Sequence, residues 1–571
     1  MIGRLLQQPT RLFTRHISTR SALFSLHNIN CRSCGIQLQD TDSSKPGFFR
    51  LPSTEVKPPN PKQLLNKKYD ELVKNLSQDD RSLLTSNNFN VSRERQQQQQ
   101  QAKQMEEDVE PSTQEEITTI SPRQRFENMT CIRCRSVQYQ SEFNVSSNEF
   151  PVSELSEVIS KIPSDAPLVY LISGPDFPLG LNPEIFRFRD PSNLYFIMSK
   201  TDRLFHKSAQ SRYNHMRKFL VRYLKSRYNV PPENIFLASG KESWKMDLLY
   251  NFIPTGAYII GNANSGKSTL VKSLMFKQKI NTGDIRIPYQ LKAKKKLMDS
   301  FNANVGPGTS HVPGYTREII PIDLEGFKQI HDVPGFTPNP KSKDFYKLLD
   351  NKELSRLIKG VYTDKKGADD SRYHSIKGPQ VLSLGGVGFI EFPANTLYQF
   401  KNVTSLDQYK FSSIEKVESL VGNIPRALDK YFLVKDAGKL ADYNRFIIPP
   451  FYGSIDLVLE DIGYVVITPV GAKETNELIK VYLHPGIRSI IRQPIINCLR
   501  NPLVRKNEDS KAKPQPFDVS TPFHSQLIPA DTEVKGKEDD YKRVNEFIPG
   551  KKYNDEYVIH EDNKYTFWKE Q

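Results

Sequence analysis

The segment from Ala257 to Thr269, AYIIGNANSGKST, constrains this chain more than any other feature. Its first four apolar residues predict a buried strand, and the pattern G-x-x-x-x-G-K-[ST] follows at once. Glycines let backbone N–H groups turn toward phosphate, the lysine neutralises phosphate charge, and the hydroxyl binds Mg²⁺. The pattern therefore predicts a nucleotide site on a strand-to-helix turn, with contacts from Gly261, Asn264, Ser265, Gly266, Lys267, Ser268 and Thr269.

Two downstream segments supply the expected catalytic side of this site. Asp332 ends a strand-like run in HDVPGF, where a carboxylate anchors phosphate-bound Mg²⁺ and Gly335 can swing toward a γ-phosphate. Thr316 ends TSHVPGYT and is placed to cover Mg²⁺ and the γ-phosphate as a switch residue. The predicted catalytic set is Lys267, Asn264, Thr316, Asp332 and Gly335.

A guanine-reading segment lies upstream of these elements. LYFIMSKTD ends a predicted strand with Lys200 and Asp202, and FLASGK follows with Ser239, Gly240 and Lys241. A carboxylate at position 202 can accept from both N1–H and the exocyclic amine of guanine, a donor pair that adenine lacks. The stem of Lys200 can lie along the base, and the turn after Ser239 can offer N–H groups to O6. These residues predict GTP as the ligand.

Four cysteines form two C-x-x-C pairs, Cys31 with Cys34 and Cys131 with Cys134. Each pair can present two thiolates to one edge of a tetrahedral Zn²⁺. The polar stretch between them, with glutamines at 96–101, predicts a disordered insertion over about 40–120. Two unrelated pairs or a redox use are the alternatives, and Cys498 is interpreted as a core residue.

The order of these segments resembles the circularly permuted GTPases, in which the base-reading segment precedes the phosphate loop. Within them the chain is most similar to the YqeH group, through the four cysteines, TSHVPGYT, the nucleotide segments and GGVGFIEF. The resemblance implies a GTPase that assembles the small mitochondrial ribosomal subunit on its ribosomal RNA. The family's Asn-Lys-x-Asp begins here with Ser199, which predicts that the contact of this side chain to the base is weaker or missing.

Hydrolysis needs a device other than the usual water-orienting glutamine, because Phe336 occupies that position. By the resemblance, Asn264 matches the place where related GTPases bind a potassium ion. A fixed cation aimed at developing charge stabilises the transition state. Potassium-stimulated hydrolysis is therefore a hypothesis. In the alternative, Asn264 only caps the loop and turnover is negligible without a partner.

Composition favours a phosphate-rich partner in the mitochondrion. The 571 residues carry 80 Lys and Arg against 65 Asp and Glu, a formal charge of +15, which suits RNA or an anionic membrane. Residues 1–39 contain neither Asp nor Glu and read as a basic amphipathic presequence leading to the matrix. No apolar run is long enough for a transmembrane helix. Predicted RNA contacts are the finger, Arg217, Arg222 and 292–296.

The predicted fold class is α/β, with strands alternating with helices around a parallel sheet. The predicted division is a presequence at 1–26, a zinc finger with its insertion at 27–148, a permuted GTPase domain at 149–345, and a β-rich domain with a polar tail at 346–571. Two other functions remain open. One is a nucleotide-gated binding protein without significant turnover, and the other is a role at the inner membrane in lipid metabolism.

Overall fold

A computed structural model of the chain provides the architecture. It describes residues 29–43, 45–49, 129–139, 153–205, 210–285, 297–298, 301, 306–308, 314–337, 342–349, 353–354, 356–357, 373–421, 423–434, 439–448, 454–470, 479–492, 494–498, 525–528 and 566–570. The presequence, most of the insertion, the lysines at 292–296 and most of the polar tail lie outside these residues.

The middle of the chain forms a six-stranded sheet in the order β3-β2-β1-β4-β6-β5. All neighbouring strands pair in parallel except β5 with β6, which are antiparallel. The strands are β1 (Leu168–Ser173), β2 (Leu194–Ser199), β3 (Ile235–Leu237), β4 (Ala257–Gly261), β5 (Ile320–Leu324) and β6 (Lys328–Asp332).

The central strands are apolar along their length because helices cover both faces of the sheet. Every residue of β1, LVYLIS, is buried, so its side chains divide between two hydrophobic clusters, one on each face. The described helices of this half of the chain are α1 (Ile132–Tyr139), α2 (Leu155–Ser160), α3 (Ile185–Phe188), α4 (Gln210–Tyr228), α5 (Met246–Phe252), α6 (Lys267–Asn281) and α7 (Ser342–Lys347).

Helix α4 shows how the sequence pattern determines one of these packings. Met216, Leu220, Tyr223 and Leu224 recur at intervals of three and four and are all buried against the sheet. The basic residues occupy the other positions, and α4 contains no acidic residue. The same spacing in the sequence predicts a helix over about Lys207 to Tyr228, and the structure confirms it from Gln210 onward, while 206–209 fall outside the described residues.

The C-terminal part is built from antiparallel sheets, as the short alternating apolar runs predict. One sheet has the order β16-β13-β14-β10-β7, and the other β11-β8-β9-β15-β12-β18-β17, in which only β12 and β18 pair in parallel. Its elements are β7 (His374–Lys377), β8 (Val381–Leu384), β9 (Gly388–Glu391), β10 (Leu397–Thr404), β11 (Gln408–Phe411), α8 (Ile414–Leu420), β12 (Asn444–Ile448), β13 (Ile455–Leu459), β14 (Gly463–Pro469), β15 (Ile479–Leu483), β16 (Ser489–Arg492), β17 (Ser525–Ile528) and β18 (Thr566–Glu570).

A buried ion pair joins this region to the parallel sheet. Arg492 at the end of β16 is almost fully buried and pairs with Asp456 at 3.1 Å. It also donates to the carbonyls of Pro175, at 3.0 Å, and Phe177, in the loop that follows β1. Since a buried guanidinium must use its donors, this contact holds the antiparallel sheet against that loop. None of the helices within the described ranges is long and apolar enough to cross a bilayer.

Candidate nucleotide and metal sites

The carboxyl ends of the parallel strands bring the predicted nucleotide residues to one edge of the sheet. Strand β1 leads to β2 on one side, whereas β4 leads to β6 on the other, so the strand order reverses between β1 and β4. Ligands of open α/β sheets bind at such a reversal, outside the carboxyl ends of the strands. The segments after β2, β3, β4 and β6, which are distant in sequence, all start at this edge.

The 261–269 loop connects β4 directly to α6, in the arrangement that the sequence predicts. Gly266, with φ of 95°, has a left-handed backbone conformation immediately before the first helical residue. The first intrahelical bond joins the N–H of Leu270 to the carbonyl of Gly266. The N–H groups in the first turn of α6 therefore lack intrahelical acceptors and can bind an anion.

Asp332 lies beside Lys267 and Ser268, the residues of this loop at which α6 begins. Ser268 Oγ donates to Asp332 Oδ2 at 2.7 Å, and Lys267 Nζ donates to the carbonyls of Gly261 and Asn262, both at 2.9 Å. Burial lowers the pKa of Lys267 to about 8 and raises the pKa of Asp332 to about 6, each against the opposing charge of the other. An ammonium bound only to carbonyls in a buried site is suited to exchange them for phosphate oxygens.

The segment after Asp332 packs tightly over the same loop. A Cβ at Gly335 would lie 2.8 Å from Ala263 Cα and 3.1 Å from Lys267 Nζ, so only glycine fits there. The N–H of Ala263 donates to the carbonyl of Phe336 at 2.8 Å, and the Phe336 ring is fully buried against Tyr170. Phe336 is therefore a packing residue in this structure.

The base-reading segment is tied to the 261–269 loop by Ser199. Its hydroxyl donates to the carbonyl of Ser265 at 2.7 Å, and it lies 3.3 Å from the carbonyl of Ile172. This hydroxyl thus bonds the 261–269 loop, which agrees with the expectation that its contact to a base is weaker or missing. Lys200 follows with a left-handed backbone, φ 53°, and burial lowers the pKa of its ammonium.

Asp202 is oriented by the turn that follows β3. Ser239 Oγ donates to Asp202 Oδ1 at 2.6 Å, and Ser239 Oγ in turn accepts from the N–H of Glu242 at 3.1 Å. Gly240 packs so closely against the start of α6 that a Cβ there would lie 2.9 Å from the nitrogen of Leu270. The two predicted base-reading segments therefore contact each other beside the 261–269 loop.

Several buried polar atoms at this edge have no hydrogen-bond partner among the described residues. They are Asn262 Oδ1, Asn264 Nδ2, Ser265 Oγ, Asp332 Oδ1 and, after β1, Asp176 Oδ1. Buried polar groups are paired in nearly all folded proteins, and groups that are not paired indicate a ligand, an ion or ordered water. These atoms at one edge are therefore available to a polar ligand, an ion or ordered water.

Sequence reasoning missed a set of residues that reach the same edge from elsewhere. The N–H of Asp461, in the turn between β13 and β14, donates to Asp176 Oδ2 at 3.1 Å, and Tyr346 donates to Asp461 Oδ2 at 3.0 Å. Burial, reinforced by the charge of Asp176, raises the pKa of Asp461 to about 6. The charge of Asp461 also acts on both Lys200 and Lys267. Asp176 alone carried a signal, because it follows a predicted strand.

The four cysteines of the two C-x-x-C pairs converge on one point. Their sulfur atoms all lie within 4.8 Å of one another, all four side chains are buried, and none is in a disulfide. Cys34 Sγ and Cys131 Sγ are 4.0 Å apart, close to the sulfur spacing expected around a tetrahedral metal with bonds of about 2.3 Å. The donor set and its geometry fit a metal ion, as the spacing predicts.

The loop of the first cysteine pair, residues 31–35, is hydrogen-bonded to the segment that carries Thr316. We call it the cysteine loop. The N–H groups of Arg317 and Glu318 donate to the carbonyl of Cys34 at 3.0 and 3.2 Å. Ser33 Oγ and Tyr315 Oη are 2.9 Å apart and buried. Thr316, between these anchors, is buried but makes no hydrogen bond to Ser268 or Asp332 in the described part of the chain.

The predicted basic contacts have different environments. Arg217 on α4 donates to the carbonyls of Pro232, at 2.9 Å, and Ile235, at 3.1 Å, so it stabilises the turn before β3. Lys218, Arg222 and Lys225 are exposed and share one side of the helix at spacings of four and three. Residues 292–296 and the side chain of Cys498 lie outside the part of the chain that the structure describes.

These features define a mixed α/β protein with a parallel sheet, a cluster of four buried cysteines that could hold a metal ion, and an antiparallel C-terminal region. The families described as "Genetic interactor of prohibitins 3 N-terminal domain" and "Genetic interactor of prohibitins 3, C-terminal domain" match residues 30–150 and 371–567. The chain belongs to the genetic interactor of prohibitins 3 family.

Full-length relatives support the assignment. The protein of that name from Candida albicans is 40% identical, with 95% of each chain covered. The relative from Lodderomyces elongisporus is 35% identical, with 100% of each chain covered. The relative from Debaryomyces hansenii is also 35% identical, with 98% of this chain and 96% of the relative covered. All three carry the word mitochondrial in their names, and the protein is mitochondrial, as its N-terminal composition predicts.

Proposed function

We propose that this protein binds GTP with Mg²⁺ at the carboxyl edge of the parallel sheet and hydrolyses it as a circularly permuted GTPase. The observation that carries the proposal is the meeting, at one edge, of the 261–269 loop, Asp332 and the base-reading segments after β2 and β3. In this arrangement Lys267 binds the β- and γ-phosphates, Ser268 binds Mg²⁺ directly, and Asp332 holds it through water.

The unpartnered polar atoms agree with this ligand set. Asp332 Oδ1 lies free beside the Ser268 hydroxyl, where a hydrated Mg²⁺ offers donors. Asn264 Nδ2 is a buried atom of the same loop and lies close to the Tyr346 hydroxyl. We assign Asn264 as the ligand of a potassium ion that stabilises charge on the phosphates during hydrolysis, since Phe336 is buried and cannot orient water.

Phosphate release by the purified protein tests the activity. We expect turnover with GTP, little with ATP, and faster turnover in K⁺ than in Na⁺. Binding of GTP without turnover in either salt would refute hydrolysis by the isolated protein and favour the nucleotide-gated binding function. That second function is favoured by the tight cover of Gly335 and Phe336 over the loop.

Asp202→Asn tests the base. An amide at this position presents a donor to the N1–H and exocyclic amine of guanine, so we expect GTP affinity to fall at least about tenfold. Xanthine has a carbonyl oxygen where guanine has the amine, and the variant should therefore bind xanthosine triphosphate better than the wild type does. Equilibrium binding of both nucleotides measures this exchange of preference. Equal losses for the two nucleotides would contradict the assignment of Asp202 as base reader.

The carboxylate of Asp461 should oppose phosphate binding, because it acts on the same lysines as the phosphates. We expect Asp461→Asn to tighten GTP binding about fivefold, since the amide removes the charge and keeps an acceptor for Tyr346. Glu418→Gln, which removes an exposed charge from α8, should leave the affinity unchanged. An unaltered affinity in Asp461→Asn, measured by the same titration, would exclude this competition.

For the cysteine site we propose Zn²⁺ as the resident metal. Four buried thiolates in a tetrahedral arrangement are the donor set of structural zinc sites. The two pairs are far apart in the sequence, but this separation adds little to the entropic cost of bringing them together, because that cost grows only with the logarithm of chain length.

The partner that we propose is ribosomal RNA of the small mitochondrial subunit, in the matrix. The acid-free helix α4 supports it by exposing Lys218, Arg222 and Lys225 on one side, where phosphates of an RNA backbone can bind. The relatives' names indicate a genetic link to prohibitins, which favours a second candidate at the inner membrane. Co-sedimentation with ribosomal subunits would support the first, and alkali-sensitive membrane association without ribosomes the second.

A further inference from the structure

The segment that carries Thr316 is bonded to the cysteine loop and to the second cysteine pair rather than to the 261–269 loop. Within the described residues, its neighbours on both sides are bonded to residues of the two C-x-x-C pairs. Tyr315 contributes its hydroxyl, 2.9 Å from Ser33 Oγ, and its carbonyl, which accepts from Arg133 at 3.5 Å. Arg317 and Glu318 contribute N–H groups to the carbonyl of Cys34. The metal site therefore fixes the backbone before and after Thr316.

The close packing around these bonds leaves little freedom. A Cβ at Gly308 would lie 2.1 Å from Ser33 Oγ and 2.4 Å from the Tyr315 ring, and the N–H of Gly308 donates to the Ser33 carbonyl at 3.0 Å. A Cβ at Gly35 would lie 3.0 Å from the Glu318 side chain. The segment at 314–318 and the cysteine loop thus form one packed unit.

The same residues determine the shape of the cysteine loop. Gly35, with φ of 82°, follows Cys34, and its N–H donates to the carbonyl of Cys31 at 2.8 Å. A metal held by the four thiols keeps the carbonyls of Ser33 and Cys34 pointing outward, where Gly308, Arg317 and Glu318 bond them. If the metal is lost, the two C-x-x-C pairs lose their main connection, and these acceptors lose their fixed positions.

We propose that the four-cysteine site positions Thr316 for the γ-phosphate, so that metal occupancy sets how well the protein distinguishes GTP from GDP. This rests on the proposed nucleotide function and adds the metal site as its positioning element. Ser33, Cys34, Arg133 and Tyr315 are positioning residues, because they act through Thr316 and do not contact nucleotide. A switch threonine contacts only the γ-phosphate and Mg²⁺, and the effect is therefore confined to the triphosphate.

The test compares the affinities of a slowly hydrolysed GTP analogue and of GDP in Mg²⁺ by titration. We expect Tyr315→Phe, which removes only a hydroxyl, to lower the triphosphate preference about fivefold with GDP affinity and bound zinc unchanged. Cys131→Ser removes a metal ligand without altering a residue that bonds the 314–318 segment. It should abolish most of the preference while still binding GDP. Tyr250→Phe is the matched control. It also removes one hydroxyl, which in the wild type donates to the carbonyl of Glu325 at the turn between β5 and β6.

A second measurement does not depend on nucleotide. The amide protons of Arg317 and Glu318 should exchange with solvent faster in Cys131→Ser than in the wild type, because their acceptor is then unfixed. If the wild type prefers the triphosphate but both variants keep that preference and the amides keep their protection, the metal site has only a local structural role and the inference is wrong. If the wild type binds neither nucleotide, the proposed function fails and this inference fails with it.

Discussion

Lys267→Ala should weaken binding of Mg²⁺-GTP at least about a hundredfold, because it removes the ammonium that lies within the 261–269 loop. In the absence of ligand this ammonium bonds only backbone carbonyls, and burial lowers its pKa to about 8. An incoming polyphosphate replaces these carbonyls with negatively charged oxygens. Alanine leaves the phosphates buried without their closest cation. Isothermal titration with a slowly hydrolysed analogue measures the loss.

The matched control is Lys277→Ala on the same helix. Lys277 is partly exposed and pairs with Asp247 at 3.4 Å, a surface ion pair worth about 1 kcal/mol at most. It should therefore leave nucleotide affinity and folding intact. If Lys267→Ala is correctly folded, with the wild-type thermal transition, and still binds GTP with wild-type affinity, the 261–269 loop is not the phosphate site.

Cys34→Ser should release the metal and unfold the region that the four cysteines hold. Structural zinc in small sites contributes about 10 to 16 kcal/mol of folding free energy, which one lost thiolate largely removes. We expect metal content to fall from about one zinc per chain to near zero, as four buried thiolates form one tetrahedral site. Elemental analysis of the purified protein and its thermal unfolding measure the two effects.

Cys498→Ser provides the control, because Cys498 is the fifth cysteine of the chain and lies outside the two C-x-x-C pairs. This variant should retain the metal and the wild-type unfolding transition. Retention of stoichiometric zinc by Cys34→Ser would place the metal elsewhere. Absence of any metal from wild-type protein purified without chelators would instead leave the four thiols without their proposed ligand.

The separate elements of the proposed nucleotide site could be predicted because each depends on local sequence. A strand followed by G-x-x-x-x-G-K-[ST] can form only a few turns, and a carboxylate that ends a parallel strand, such as Asp332, must lie at the ligand edge of the sheet. The four cysteines were predictable for a related reason. Their spacing fixes two thiolates on each short turn, and the structure confirms that the two pairs converge.

Some roles depended on which atoms are nearest in the folded chain. The sequence places Ser199 in a base-reading segment, yet its hydroxyl bonds the Ser265 carbonyl, because β2 ends beside the loop that leaves β4. Arg217 belongs to a basic helix by pattern, but the turn before β3 presents two carbonyls within its reach. A periodic pattern assigns a side chain to a face of a helix and does not identify its partners.

The sequence by itself determined the parallel sheet with its strand-to-helix turns, the cysteine site and the basic α4, because each follows from local spacing and from the periodicity of apolar residues. Only the tertiary structure decided that the charge of Asp461 reaches Lys200 and Lys267 from a distant β-turn, and that the cysteine loop bonds the backbone around Thr316. These contacts join residues far apart in the chain. They arise from how whole sheets and loops pack together, which no local pattern encodes.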